Sequence, residues 1–124
     1  MSFALEFHDS EVRDVVADDG GVRVRFSAAS VRGADGLRGW LTSVALTLTG
    51  TLPAGGTPDA FGKITEGHLR QDGVAVTRLP VPARLAGELE LSLRFANGSS
   101  LSVRAAALTL ATAPDAVFTE DLSC

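Results

Sequence analysis

A chain of 124 residues suffices to bury one hydrophobic core, whereas two domains of half that size would each be poorly packed, so we expect residues 1–124 to form a single domain. The formal net charge is −4 and the basic residues are scattered, which argues against a phosphate-binding stripe and against a nucleic-acid partner. No signal peptide and no stretch of about 18 apolar residues is found, which predicts a cytoplasmic protein without a membrane partner. Because Cys124 is the only cysteine, an intrachain disulfide is excluded.

Apolar and polar residues alternate with a period of two through most of the chain, which predicts β-strands that bury one face and expose the other. Burial on one face is typical of antiparallel sheets, because parallel strands are usually apolar on both faces. In chain order, the predicted strands are residues 3–8, 10–17, 22–28, 40–49, 63–70, 74–79, 85–95 and 101–110. Seven to nine short strands predict a single all-β domain, either an antiparallel β-sandwich or a small barrel.

The same alternation predicts which side chains form the core. The expected exposed side chains are those of Arg23, Arg25, Glu88 and Glu90. The expected buried side chains are those of Val22, Val24, Phe26, Leu46, Leu48, Leu89, Leu91, Leu93 and Phe95.

Two hairpins are predicted from their turn residues. Asp72-Gly73 favours a two-residue turn, and this turn places Leu69 opposite Val76 on one apolar face. A three-residue loop at residues 96–98 is favoured over a two-residue turn because it pairs apolar residues 91 and 93 with apolar residues 103 and 101. Across residues 105–107 the apolar phase shifts by one position, which predicts a bulge or a corner.

Residues 8–10 read His-Asp-Ser, which are the residue types of a hydrolase triad. A triad needs contacts of about 3 Å from the nucleophile to the base and from the base to the carboxylate. Neighbours in a strand point to opposite faces, so three consecutive residues do not form such a chain. We therefore predict that the strand ends at His8, that Asp9 or Ser10 caps a turn, and that no residue is catalytic. A hydrolase that uses His8 and Asp9 is the least favoured alternative.

A metal site would require the two histidines, His8 and His68, to converge with carboxylates such as those of Asp9, Glu66 or Glu120. The histidines do not have the spacing of metal ligands, so we predict neither a metal ion nor a cofactor.

The segments 32–39 and 53–62 are rich in glycine and are predicted to be long loops on either side of a strand that opens at Trp40. The indole of Trp40 is interpreted either as a binding anchor or as the first side chain of a core strand. A partner would meet loops and edges, because the apolar face of each strand is committed to the core, and acidic side chains would suit a basic partner. The candidate partner-binding residues are Asp35, Arg38, Trp40, Asp59, Glu120 and Asp121.

An aromatic-His-Asp-Ser segment near the N-terminus is followed by "WLTSVALTLTG", by the hairpin "LELSLRFANGSSLSV" and by the acidic tail "FTEDLSC". In this order of elements the chain resembles small bacterial all-β proteins that include immunity proteins of polymorphic toxin systems. The resemblance implies a non-enzymatic monomer or homodimer that neutralises a toxin by binding it, the partner being another protein such as a basic toxin domain. A sandwich or barrel that binds a small apolar ligand is the alternative function.

Overall fold

The computed structural model describes residues 3–18, 20–33, 35–50 and 60–120. Within these ranges the chain forms ten β-strands and no helix, hence none that could cross a membrane, and the all-β prediction is confirmed. The strands are β1 (Phe3–Asp18), β2 (Gly21–Gly33), β3 (Arg38–Leu41), β4 (Val44–Thr49), β5 (Gly62–Gln71), β6 (Val74–Ala75), β7 (Leu79–Val81), β8 (Ala83–Phe95), β9 (Ser100–Thr112) and β10 (Phe118–Glu120).

Six of these strands close into an antiparallel barrel whose wall follows the order β1, β2, β4, β9, β8 and β5. The ring closes where β5 returns to β1, with Lys63 opposite Glu11 and Gly62 opposite Val12. The outer strands extend from this wall: β3 pairs with β2, β10 with β3, β7 with β1 and β6 with β5. The expected count of seven to nine strands is not confirmed, because the four outer strands have only two to four residues each and are too short to show a periodic pattern. The sandwich alternative is not confirmed either.

The strand expected to run from Trp40 to Thr49 is two strands in the structure. β3 and β4 pair with successive stretches of one edge of β2, residues 29–32 and 21–26 respectively. Between β3 and β4, Ser43 has a φ of 54°, a left-handed conformation that interrupts the alternation of side chains. The buried positions are therefore odd-numbered in β3 and even-numbered in β4.

The segment 32–39 is a tight hairpin and not the long loop that we expected. Arg32 and Arg38 face each other as a ladder pair, and the Gly33 N–H donates to the Leu37 carbonyl at 2.7 Å. Gly36 has a φ of 85°, a conformation that is accessible because glycine has no side chain. This conformation allows the chain to reverse direction within a few residues. Of the other predicted loop, 53–62, residues 53–59 lie outside the described residues.

The barrel core largely follows the predicted alternation. Of the expected core side chains, all but Val22 are buried, and Val22 is half-buried because it lies one residue from the end of β2. Arg23, Arg25, Glu88 and Glu90 are exposed as expected. The inward-facing side chains of all six barrel strands thus form one continuous core.

The turn predicted at Asp72-Gly73 is confirmed. Both residues have positive φ, 52° and 81°, as a type I′ turn requires, and the Val76 N–H donates to the Leu69 carbonyl at 2.8 Å.

The three-residue loop at residues 96–98 is also confirmed. Leu93 lies opposite Leu101, the Phe95 N–H donates to the Ser99 carbonyl at 2.9 Å, and Gly98 has a φ of 88°. The phase shift near residues 105–107 coincides with a bulge in the partner strand β8 between Ala86 and Leu89.

Candidate interaction surface around Trp40

A bulge in β1 shapes the surface next to Trp40. Glu6 lies opposite Ser30 and Glu11 lies opposite Ala28, so β1 has more residues in this stretch than β2, and residues 7–10 leave the regular ladder. Within the bulge, Asp9 has a φ of 71°. The strand therefore continues through residues 8–10, and the turn that we predicted there is wrong: β1 runs on to Asp18.

Ser10 fastens this bulge from the inside. Its side chain is fully buried, and its hydroxyl donates to the Glu6 carbonyl at 2.6 Å and accepts the Ser30 N–H at 2.8 Å. A buried hydroxyl with both a donor and an acceptor bond costs little desolvation energy. The Ser10 hydroxyl accepts a hydrogen bond from a backbone N–H, as expected of a capping residue, but this N–H belongs to Ser30 of the neighbouring strand β2.

The His-Asp-Ser residues divide between the two sides of the sheet. His8 Nδ1 lies 3.2 Å from Asp9 Oδ2 because the left-handed conformation of Asp9 breaks the strand alternation and brings the two side chains together. Ser10 points into the protein and is bonded to backbone groups. The structure therefore brings His8 and Asp9 together at the surface and holds Ser10 apart from them.

Trp40 lies on the outer face of β3. Its neighbours Gly39 and Leu41 are buried, so the alternation of side chains along the strand turns the indole outward, where it is partly exposed. It faces Ser30 of β2 on one side and Thr119 of β10 on the other. Of the two interpretations of this residue, the core position is wrong, because the break at Ser43 shifts the alternation by one residue.

Several charged side chains share the outer face with the indole. Arg38 Nη2 lies 3.2 Å from Glu6 Oε1, and Arg32 Nη2 lies 3.9 Å from Glu6 Oε2. Beyond the bulge, Lys63 Nζ lies 3.2 Å from Asp9 Oδ1. We call the surface formed by Glu6, Asp9, Glu11, Ala28, Arg32, Arg38, Trp40 and Lys63 the Trp40 face. Its ion pairs are solvent-exposed and contribute little to the stability of the fold. The charged side chains can therefore form contacts with other molecules at little cost to folding.

A concavity of about 490 Å³ lies beside the indole and is open to solvent. We call it the Trp40 hollow, and it is lined by Asp9, Glu11, Ala28, Trp40 and Lys63. Lys63 is the ladder neighbour of Glu11 and nevertheless places its ammonium group on Asp9. The Glu11 carboxylate accepts the Ser27 hydroxyl at 2.9 Å and makes no ion pair with any residue that the structure describes.

The structure brings together only some of the residues predicted to bind a partner. Arg38 and Trp40 share the outer face, and Asp35 lies in the adjacent turn, where its Oδ1 accepts the Leu37 N–H at 3.0 Å. Glu120 is exposed, but Thr119 is the residue opposite Trp40, so the Glu120 side chain belongs to the other face of the sheet. Asp59 and Asp121 lie outside the described residues.

The residues that complete the Trp40 face were not among those predicted to bind a partner. Glu6, Glu11 and Lys63 reach it because β1 crosses between β2 and β5, and Lys63 is far from the others along the chain. The one available signal was the acidic segment 6–11, whose polar residues exceed what a regular strand needs on its outer face.

A second concavity, of about 750 Å³, lies between β1, β5 and the segment 75–79. Both histidines line it, yet each is bonded to its own carboxylate: His8 to Asp9, and His68 Nε2 to Glu66 Oε1 at 2.8 Å. The hydrogen bond from His68 lowers the pKa of Glu66 below its ordinary value. Within the described ranges, no group of three or more His, Cys, Asp or Glu side chains converges as metal ligands would.

Neither a protein-family model, nor a curated protein, nor a solved structure matches this chain.

Proposed function

We propose that this chain is a non-enzymatic protein-binding β domain whose contact surface is the Trp40 face. The observation that carries the proposal is the position of its single tryptophan, partly exposed on the outer face of β3 beside a concavity that is also lined by the charged side chains of Asp9, Glu11 and Lys63. Interfaces are often built in this way, with an aromatic anchor near the centre and a polar rim that excludes water. The indole occupies an outward-facing position and is partly exposed, so part of its surface remains free to contact a partner.

The packing of the barrel supports an outer site over an inner one. Leu46, Leu48 and Leu110 are completely buried at inward-facing positions of β4 and β9. A closed barrel of about eight strands is just wide enough for side chains to fill it, and six strands enclose less space. A partner therefore meets the outer wall of this barrel.

We further propose that the partner is a toxin that the domain neutralises by binding, in the bacterial cytoplasm. The support for this step is the resemblance of the element order to immunity proteins. Neutralisation by binding needs no catalytic residues, and a partly exposed aromatic side chain with charged side chains on the same face supports such binding.

Binding of a small apolar ligand is the second candidate function. The observation that favours it is the concavity between β1 and β5, which is lined by apolar side chains of Leu5, Phe7, Leu69, Val76 and Leu79. A thermal-shift screen with small apolar compounds tests this candidate. A ligand that raises the melting temperature, and loses this effect in Val76→Asp, would move the function from the Trp40 face to this concavity.

The primary proposal is tested by immobilising the wild-type chain and the Trp40→Ala variant side by side. We expect at least one protein from the source cell to be retained by the wild type and lost by the variant. That protein is then purified and its affinity for both chains is measured. If it is toxic when expressed alone, co-expression with the wild type should restore growth and co-expression with Trp40→Ala should not. Equal retention of every protein by both chains would contradict the proposal.

A further inference from the structure

We infer that the Trp40 hollow binds the guanidinium group of an arginine side chain that the partner protein presents. This inference rests on the proposed function and adds to it the chemistry of the central contact. It depends on three properties of the hollow, which are its aromatic wall, its net charge and a carboxylate that forms no ion pair with any residue in the described part of the chain.

The aromatic wall is the partly exposed indole of Trp40, with Ala28 beside it. Ala28 carries only a methyl group, so space remains next to the indole. A cation placed over an indole is attracted by the negative charge of the ring face, and tryptophan is the strongest such partner among the aromatic side chains.

The charge of the hollow favours a cation. Its lining includes two carboxylates and one ammonium group, from Asp9, Glu11 and Lys63, which give a net formal charge of −1. Lys63 contacts Asp9 at 3.2 Å and leaves the Glu11 carboxylate with a hydrogen bond from Ser27. Glu11 is therefore the anion that is available to an incoming cation.

An arginine fits these groups better than a lysine does. The guanidinium is planar, so it stacks on an indole and donates two parallel hydrogen bonds to one carboxylate. An ammonium group is more strongly hydrated and offers no flat surface to the ring. Stacking on Trp40 with hydrogen bonds to Glu11 uses both properties of the guanidinium at once.

The chain offers its own reporter for the test, because Trp40 is the only tryptophan and the sequence contains no tyrosine. Its fluorescence is recorded while a short peptide with one arginine and otherwise uncharged residues is added, at low ionic strength. The matched probe is the same peptide with citrulline, which has nearly the same shape and no charge. We expect a saturable change in emission with the arginine peptide and about tenfold weaker binding of the citrulline peptide.

Three variants separate the contacts. Glu11→Gln should weaken binding of the arginine peptide about two- to fivefold, because it removes an exposed charge partner. Glu88→Gln makes the same chemical change on β8, outside the hollow, and should leave binding unchanged. Lys63→Met should strengthen binding, because it removes the resident cation and leaves Asp9 Oδ1 without its ammonium partner, a gain that a loss of structure would not produce.

Equal binding of both peptides, or unchanged binding by Glu11→Gln, would overturn the inference. These results are independent of the proposed function. If the binding of a protein partner requires Trp40 but the arginine peptide does not bind, the Trp40 face is still the binding surface, and only the inferred recognition of a guanidinium group is wrong. If the peptide binds as expected and no protein depends on Trp40, the proposed function is wrong.

Discussion

The side-chain carboxylate of Asp72 lies directly over Gly87 and fastens the β5–β6 turn to a bulge in β8. Asp72 Oδ1 accepts the Glu88 N–H at 2.9 Å, and the Asp72 N–H donates to the Glu88 carbonyl at 2.8 Å. Gly87 has a φ of 124°, and a Cβ placed on it would stand 2.8 Å from Asp72 Oδ1. The contact therefore requires a residue without a side chain at this position.

Gly87→Ala is expected to destabilise the protein by about 1–3 kcal/mol, because alanine is strained at this φ and its methyl group meets the Asp72 carboxylate. Gly98→Ala is the matched control, since Gly98 also has a positive φ, 88°, but has open space around it. Urea unfolding should show a smaller loss of unfolding free energy for Gly98→Ala. Equal losses would mean that the Asp72 contact adds nothing to the backbone strain.

Ser10→Ala is expected to cost about 1–3 kcal/mol of unfolding free energy, because it leaves the Glu6 carbonyl and the Ser30 N–H without their buried partner. Ser102→Ala removes an exposed hydroxyl from β9 and should change stability little. Chemical denaturation of the two variants checks this. A Ser10→Ala variant as stable as the wild type would show that the bulge does not depend on the hydroxyl.

Leu91→Ala should cost about 2–5 kcal/mol, because Leu91 is 1% exposed and its truncation leaves a cavity between β5, β8 and β9. Ser92→Ala, at the next and outward-facing position, is the control. The melting temperature should fall clearly in the first variant and stay nearly constant in the second. An unchanged melting temperature in Leu91→Ala would mean that the two faces of β8 have been reversed.

The pair between Arg25 and Asp14 predicts a dependence on pH. Hydrogen bonds from the Arg25 guanidinium, including Nε to Asp14 Oδ1 at 2.6 Å, hold the pKa of Asp14 below its ordinary value. A lowered pKa in the folded state stabilises the fold above the ordinary pKa, and this stabilisation is lost as the pH falls through the lowered pKa. The effect should therefore be present at neutral pH and disappear below about pH 4.

Replacement of Arg25 by glutamine should accordingly raise the pKa of Asp14, as measured by NMR titration of its carboxyl group. Arg84→Gln, an equivalent change on β8, should leave the titration of Asp14 unchanged. A pKa of Asp14 that is the same with and without Arg25 would contradict the assignment of its cause.

The features that the sequence predicted correctly are those with local causes. The Asp72-Gly73 turn follows from two residues that tolerate positive φ, and the loop at residues 96–98 follows from matching apolar positions on strands adjacent in the chain. The core positions of β2, β4 and β8 were predictable for the same reason, because each strand carries its own alternation.

The features that the sequence did not predict depend on distant partners. The bulge at residues 7–10 is fixed by Ser30, and barrel closure depends on the pairing of Glu11 with Lys63. The outward position of Trp40 was left open for a different reason. One left-handed residue, Ser43, reverses the alternation between β3 and β4, and a serine carries no clear signal for that conformation. The Trp40 face depends on the bulge, on barrel closure and on the reversal at Ser43. For this reason only two of its residues, Arg38 and Trp40, were predicted to bind a partner.

The central claim, that the Trp40 face is a protein-binding surface, is tested most directly by the affinity of an identified partner for three chains: the wild type, Trp40→Ala and Arg94→Ala. Arg94 is exposed on β8, outside the Trp40 face, and serves as the control. We predict that Trp40→Ala weakens binding by about 2 kcal/mol or more, roughly thirtyfold, with a nearly unchanged melting temperature, and that Arg94→Ala binds like the wild type. Wild-type affinity in Trp40→Ala would contradict the account and place the contact surface elsewhere on the barrel.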